Sequence, residues 1–437
     1  MKIGILGCGI TGLGLGYFLA KTPHDFTILE KRPEVGGELM NTEVIDGFTF
    51  NTGGEHLIWS DKKELVKILL EALGDNYFER HRNTKIYHKG ALVTYPFEHG
   101  LKDLPPKVSF RCMLSFLKNY YNQKFYKVEE PKNVYEWCYA TFGSGLSREH
   151  LIPVNRNWWK LNPKQLSISL VKRIPQPTVE EIIKSWLGEE TVGLKPQATF
   201  YYPKIGGSLA IAKSLTNLIP KERIKLNEEV VFIEKADKKT DKWLVHTDKS
   251  IYEFDKIIST LPLKTLGRIV DGVDKNIKKD LKKLRVNSLA VVLVALNKEL
   301  KNNYSWINFG TNDVLMNRIS FPKNYSEFNC PEGKDFITAE VTYRRRKKNN
   351  IEERVIKNLV DTGFIKREDI AFTKIAYNKN AYPVPDIYSA ENIDRIRKHF
   401  IDKGLILVGR FGSMDYINMD KCIEKAKEVI EKLNEGV

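Results

Sequence analysis

The chain opens with Ile3-Gly-Ile-Leu-Gly7-Cys-Gly9-Ile-Thr-Gly12, runs through an apolar helical pattern, and reaches Phe26-Thr-Ile-Leu-Glu30-Lys-Arg-Pro-Glu-Val-Gly36-Gly37. Strand, glycine turn, helix, strand and acid follow one another as in a complete dinucleotide-binding unit. Gly7 allows a tight turn after the strand Ile3 to Leu6. Gly9 lets backbone approach a pyrophosphate, and Gly12 lets the following helix pack closely on the sheet. Ile10, Thr11 and Gly12 then form the positive N-terminus on which a pyrophosphate would sit. Glu30 stands eighteen residues beyond Gly12, where an acid can accept hydrogen bonds from ribose hydroxyls. Lys2 and the apolar run behind it superficially fit a secretory leader, but a leader has no reason to space three glycines this way. The opening residues are therefore expected to belong to the mature fold.

Working outward, 437 residues exceed the usual size of one domain, so two domains or one with a large insertion are expected. The longest apolar run, Leu289 to Leu296, falls far short of the ~20 residues needed to cross a bilayer. Five cysteines (Cys8, Cys112, Cys138, Cys330, Cys422) without CxxC spacing argue against a zinc site or a disulfide framework and fit a reducing cytoplasm. The net charge of +15 is spread among acidic residues, with Arg344 to Lys348 the one dense basic cluster, so nucleic acid is not an expected partner.

Ser60 is placed to cap a helix whose apolar positions Leu65, Ile68, Leu69 and Leu73 recur at helical spacing. Lys89-Gly90 joins two short strand patterns as a hairpin turn. From 103 to 199 the text reads as an aromatic-rich helical insertion. Strand, Gly206-Gly207 and helix follow, then strand patterns at Glu229 to Glu234 and Asp255 to Thr260. Leu289 to Leu296, Phe336 to Tyr343 and Ile370 to Tyr377 read as one further sheet. The strand and glycine turn of Leu405 to Gly412, with a helix from Met419 to Leu433, match one more unit of a doubly wound sheet.

Arg32-Pro-Glu-Val-Gly36-Gly37 followed by Asp46-Gly-Phe-Thr-Phe-Asn-Thr-Gly53-Gly54-Glu55-His56 resembles the opening of flavoproteins related to amine oxidases, protoporphyrinogen oxidase and UDP-galactopyranose mutase. The resemblance implies bound FAD and an α/β fold: a discontinuous Rossmann-type FAD-binding domain (1–80, 200–262, 395–437), a sheet-containing substrate domain (81–102, 263–394) and the helical insertion (103–199). It implies cofactor contacts from Gly7, Gly9, Ile10, Thr11, Gly12, Glu30, Lys31, Arg32, Gly36, Gly37, Glu38, Gly54, Glu55 and His56. Leu226-Asn-Glu-Glu-Val230 is similar to the segment whose valine backbone meets the adenine. Gly409-Arg410 through Asn418-Met419 is similar to the C-terminal flavin segment.

Within that group the sequence leans toward the mutases. Tyr416-Ile-Asn-Met-Asp420, Tyr382-Pro-Val-Pro-Asp386 and the stretch from Trp159 to Arg173 resemble mutase segments that supply two tyrosines and an arginine to a substrate diphosphate, and Tyr201 or Tyr202 falls where a further phosphate-binding tyrosine stands. The resemblance makes His56, Arg173, Tyr382 and Tyr416 the catalytic set, with Arg173, Tyr201, Tyr202, Tyr382 and Tyr416 holding substrate. Trp59 stands where the mutases place a second histidine. The implied reaction is ring-contraction isomerisation of a UDP-sugar through a reduced-flavin–sugar adduct. The alternative is an FAD-dependent oxidoreductase taking hydride from a small molecule, and a third reading is a non-catalytic FAD-bound scaffold. Lys118, Lys124, Lys127, Glu129 and Glu130 charge the helical insert, so a soluble, cytoplasmic enzyme without metal is expected; a homodimer is compatible.

Overall fold

The computed structural model describes every residue except 38–39, 128, 174–176, 190–197, 238–239, 312, 345–348 and 436–437, and omits the side chains of 172, 173, 237 and 240. Glu38 and most of the basic cluster at 344–348 therefore lie outside the described residues, as does the side chain of Arg173.

Strand Lys2–Leu6 lies at the centre of a five-stranded parallel sheet, between Lys256–Ser259 and Asp25–Leu29, with Leu405–Leu407 and Ile224–Lys225 at the edges. These strands come from the beginning, middle and end of the chain, and parallel neighbours need crossover connections, so helices cover the sheet. Helix Ile10–Leu19 buries nearly all its residues. It packs against the C-terminal helix Met419–Asn434 closely enough that a Cβ on Gly14 would stand 3.2 Å from that of Ala426. A three-stranded antiparallel sheet, Val230–Asp237, Thr240–Thr247 and Ile251–Phe254, covers the opposite face and lays Phe254 against Gly4.

The second sheet has seven strands, with Val286–Leu296 paired between Ile370–Pro383 and Asp335–Tyr343 and the hairpin Thr84–His88/Ala91–Thr94 at the far edge. At that hairpin Lys89 (φ 49°) and Gly90 (φ 89°) both take positive φ, the requirement of a type I′ turn. Strand Ile370–Pro383 runs six residues beyond the expected end at Tyr377, and its tip carries Tyr382. The apolar-alternation signal stops early because Asn378 and Lys379 interrupt it, yet the backbone ladder continues to Asn287 and Val286.

Between these sheets the chain inserts helices Pro106–Phe125, Val134–Leu146, Ile152–Trp159 and Val179–Leu187. The helix expected from Ser60 begins at Lys63 with no side-chain cap. Ser60 Oγ instead accepts from the Lys62 N–H and donates to Asp420 Oδ2 at 3.0 Å, tying this loop to the C-terminal helix.

Candidate functional site

The cradle of the first sheet is a backbone structure. A Cβ on Gly12 would stand 2.0 Å from the Gly7 carbonyl oxygen, so only glycine brings the helix this close to the turn. Gly9 behaves oppositely: its φ of −74° suits any residue, and a Cβ there would meet nothing within 4 Å among the described residues. The space in front of Gly9 is thus open to a ligand rather than filled by protein. No side chain caps helix Ile10–Leu19 and no acid stands in its first turn, leaving its N-terminus available to an anion. Gly36 and Gly37, both at positive φ, close the cradle from the side, with Gly36 bridged to Gly9.

Glu30 is buried, and its carboxylate accepts from the Cys8 N–H at 2.9 Å and the Arg32 N–H at 3.0 Å. Those bonds fix the carboxylate and leave each oxygen further acceptor capacity for ribose hydroxyls. Asn227 and Glu228 bond the carbonyls of Arg32 and Glu30, which carries the chain past the cradle into Val230. A dinucleotide fits this arrangement.

Where the two sheets and the helical insertion meet, a cavity of about 200 Å³ is lined by His56, Arg318, Tyr382, Arg410 and Tyr416, with Trp158, Trp306 and Phe200 among its walls. Gly409 joins it to the cradle, for a Cβ there would press on Thr11 Oγ1 at 2.8 Å. Arg410 donates from Nε to the Ile417 carbonyl at 2.8 Å and sits 5.6 Å from the Tyr416 ring centroid. It has no carboxylate at ion-pair distance among the described residues. Tyr382 and Tyr416 stand edge to face at 6.0 Å, each against a tryptophan: Trp158 at 6.3 Å and Trp159 at 5.0 Å. Burial, and then the negative charge of Glu340, push the Tyr382 hydroxyl upward, so it remains a donor at neutral pH.

Beneath this cavity lies a charged network. Arg318 Nε bonds Glu340 Oε1 at 2.9 Å, and Nη2 reaches the same oxygen at 2.5 Å; Glu340 is almost fully buried and its Oε2 has no partner among the described residues. Glu55 accepts from Asn51 Nδ2 at 2.5 Å and the Tyr202 hydroxyl at 3.1 Å, while burial raises it to about 7. His56 Nδ1 lies 3.1 Å from the Gly54 carbonyl, which can only accept, so the proton belongs on Nδ1 and Nε2 is left as an acceptor. Burial, reinforced by the Arg410 charge, lowers His56 to about 4 and keeps it neutral.

The structure thus brings His56, Tyr382, Tyr416 and Arg410 together. It does not bring Tyr201 or Tyr202 to the cavity. Alternation along strand Thr199–Tyr202 turns Tyr201 onto Tyr77 at 5.6 Å, and Tyr202 is fully buried with its hydroxyl occupied by Asn51 and Glu55; Phe200 reaches the cavity instead. Arg318, Glu340, Trp158 and Trp306 were not anticipated. A signal for one pair was present: Glu340 stands alone in the strand Phe336-Ile-Thr-Ala-Glu-Val-Thr-Tyr343, and a carboxylate buried in such a strand requires a cation.

Residues 10–429 match the family described as flavin containing amine oxidoreductase. A crystal structure of reduced UDP-galactopyranose mutase superposes on 100% of this chain and 96% of its own, with a TM-score of 0.90 at 22% identity. A structure described as a protoporphyrinogen oxidase, from Exiguobacterium, covers 100% and 99% with a TM-score of 0.76 at 18% identity. A 4,4'-diapophytoene desaturase from Staphylococcus aureus is 31% identical over 132 residues, 28% of this chain and 26% of the desaturase. The chain thus spans between 14% and 26% of the length of the curated desaturases it matches. The glycine cradle and the family match agree on the cofactor, FAD. The chain belongs to the flavin containing amine oxidoreductase family and is an FAD-dependent enzyme.

Proposed function

We propose that the enzyme acts on a nucleotide sugar, exchanging the ring size of the sugar at its anomeric carbon without net redox change. One observation carries this reading: Arg410, a cation without a carboxylate partner among the described residues, stands beside two tyrosines at the junction of cradle and cavity. A guanidinium makes charge-assisted bonds to diphosphate oxygens, and the tyrosine hydroxyls add neutral donors. Tyr382, held protonated by burial, donates to the same group. Trp158 and Trp306 offer flat faces to sugar or base, and neutral His56 presents Nε2 to a sugar hydroxyl. Holding the departing diphosphate in place keeps it available for recapture when the sugar recloses. When bound, reduced FAD would supply the nucleophile for this exchange. Likeness in fold to the mutase supports the reading.

The test is anaerobic incubation of dithionite-reduced protein with UDP-galactopyranose and related UDP-sugars, followed by chromatography beside an oxidised control. Isomerisation only with reduced flavin is the expected result. Absence of turnover together with absence of UDP binding to FAD-loaded protein would overturn it.

A second reading, hydride transfer from an apolar substrate, is favoured by a different observation. Glu340 neutralises Arg318, and Trp59, Trp158, Phe200 and Trp306 make much of the cavity wall aromatic, which suits an apolar substrate. The desaturase similarity points the same way. Substrate-dependent bleaching of oxidised flavin under argon distinguishes it from the first reading.

A further inference from the structure

Helix Pro106–Phe125 buries Ser109, Cys112, Met113 and Phe116 in the cluster that holds Trp137 and Phe142. A second apolar face remains outside. Phe110, Leu114, Leu117, Tyr121 and Phe125 follow one another at spacings of four, three, four and four residues, which places them within one narrow stripe of a helix. All five are exposed, with Phe110 at 59%, Tyr121 at 55% and Phe125 at 60%. Scattered surface apolar residues need no explanation, but a contiguous exposed stripe of this kind marks an interaction surface.

The charge around the stripe identifies what it meets. The helix contains no Asp or Glu. Exposed Lys107 and Lys118 rim one side of the stripe, Lys124 the other, and Lys127 follows its end; Arg111 is occupied by Glu149. Lysine stems lie along apolar surface while their ammonium groups reach outward. The lysines that argued from sequence against a membrane therefore border the apolar stripe instead of interrupting it, and Glu129 and Glu130 fall beyond the helix.

We propose that this helix docks in plane on an anionic lipid bilayer, with the Phe110 to Phe125 stripe entering the headgroup boundary and the lysines meeting lipid phosphates. A second copy is the poorer occupant, because two-fold pairing would set two acid-free, lysine-rimmed faces against each other. An inserted peptide is also poorer: the stripe is the outward face of a helix, and the cavity around His56 and Arg410 is lined by no residue of it. No helix among the described residues is long and apolar enough to cross a membrane, so the contact is one of lying on the surface. The buried face of the helix joins the cluster against which Tyr382 and Tyr416 pack, which places the docking face on the same subdomain as one wall of the cavity.

The experiment is co-sedimentation of the FAD-loaded protein with vesicles of phosphatidylcholine alone and of phosphatidylcholine mixed with phosphatidylglycerol. Binding to the mixed vesicles, weakened by salt, is expected, with a loss of roughly ten-fold or more in Phe110→Ser/Phe125→Ser. Lys118→Glu/Lys124→Glu should lose the preference for the anionic vesicles while retaining flavin content and melting temperature. Failure to sediment with either vesicle would overturn the proposal, as would binding unchanged in both variants. Self-association in sedimentation velocity that Phe110→Ser/Phe125→Ser abolishes, without vesicle binding, would assign the stripe to a second copy.

Discussion

The cradle around Gly9 and the cavity around Arg318 meet at Gly409–Arg410, and they bind by different means. In the cradle the backbone does the work: glycines clear space, and an uncapped helix end offers donors. In the cavity, buried side chains set charge and proton occupancy through Arg318, Glu340, Glu55 and His56. The difference teaches what each region tolerates. A cradle made of backbone fails when any side chain enters it, whereas a cavity made of charges can be retuned one group at a time.

The largest effect is expected in the cradle. Gly12→Ala forces a Cβ against the Gly7 carbonyl and should cost about 3 kcal/mol of stability together with the flavin. Gly9→Ala should leave the melting temperature of the flavin-free protein nearly unchanged while weakening FAD binding on the order of 100-fold, because its Cβ enters only the ligand's space. Equal destabilisation by both substitutions would break the distinction.

In the cavity, Arg318→Met leaves the Glu340 carboxylate buried without its cation, at a cost of about 3 kcal/mol in urea unfolding. Arg318→Met/Glu340→Leu should recover most of that loss, since removing both charges removes the desolvation penalty as well. Failure of the second change to restore stability would mean that the pair does not act as a unit.

A subtler prediction concerns pH. Glu55 is raised from 4.5 to about 7 in the fold, so between those values the folded chain binds more protons and stability falls as pH rises. His56 is lowered from 6.5 to about 4, so between those values the unfolded chain binds more protons and stability rises with pH. The two slopes oppose each other across the shared window. Melting temperatures of flavin-free Glu55→Gln should expose the rising slope, and those of His56→Asn the falling one. The smallest effect is that of Ser60→Ala, about 1 kcal/mol, from losing the hydroxyl's bonds to Asp420 and the Lys62 N–H.

The same division explains how much was legible beforehand. The cradle was readable because backbone requirements select glycine, and glycine at fixed spacing is visible in a sequence: Gly7, Gly9 and Gly12 announce both the turn and the helix. The hairpin at Lys89-Gly90 was readable for the same reason. The cavity was readable only where a local motif carried it, as at Tyr382, Tyr416 and His56. Arg318 and Glu340 are neighbours through strand pairing across 22 residues, and a cross-strand partner leaves no local mark. Tyr201 and Tyr202 stand outside the cavity for two different reasons: alternation turns Tyr201 to the face opposite Phe200, whereas Tyr202 shares the Phe200 face but is buried with its hydroxyl held by Asn51 and Glu55, partners 151 and 147 positions away. Ser60 resembled a cap because it precedes an amphipathic run, but its hydroxyl was already engaged by a residue 360 positions away.

The central claim is that Arg410, with Tyr382 and Tyr416, receives a diphosphate beside the flavin. Its most direct test is titration of FAD-loaded protein with UDP, followed by tryptophan fluorescence, since Trp158 and Trp306 line the cavity. The account predicts a saturable change that UDP produces and uridine does not, weakened roughly ten-fold or more in Arg410→Met. An equal response to uridine and UDP, or a UDP response unaltered in Arg410→Met, would contradict it.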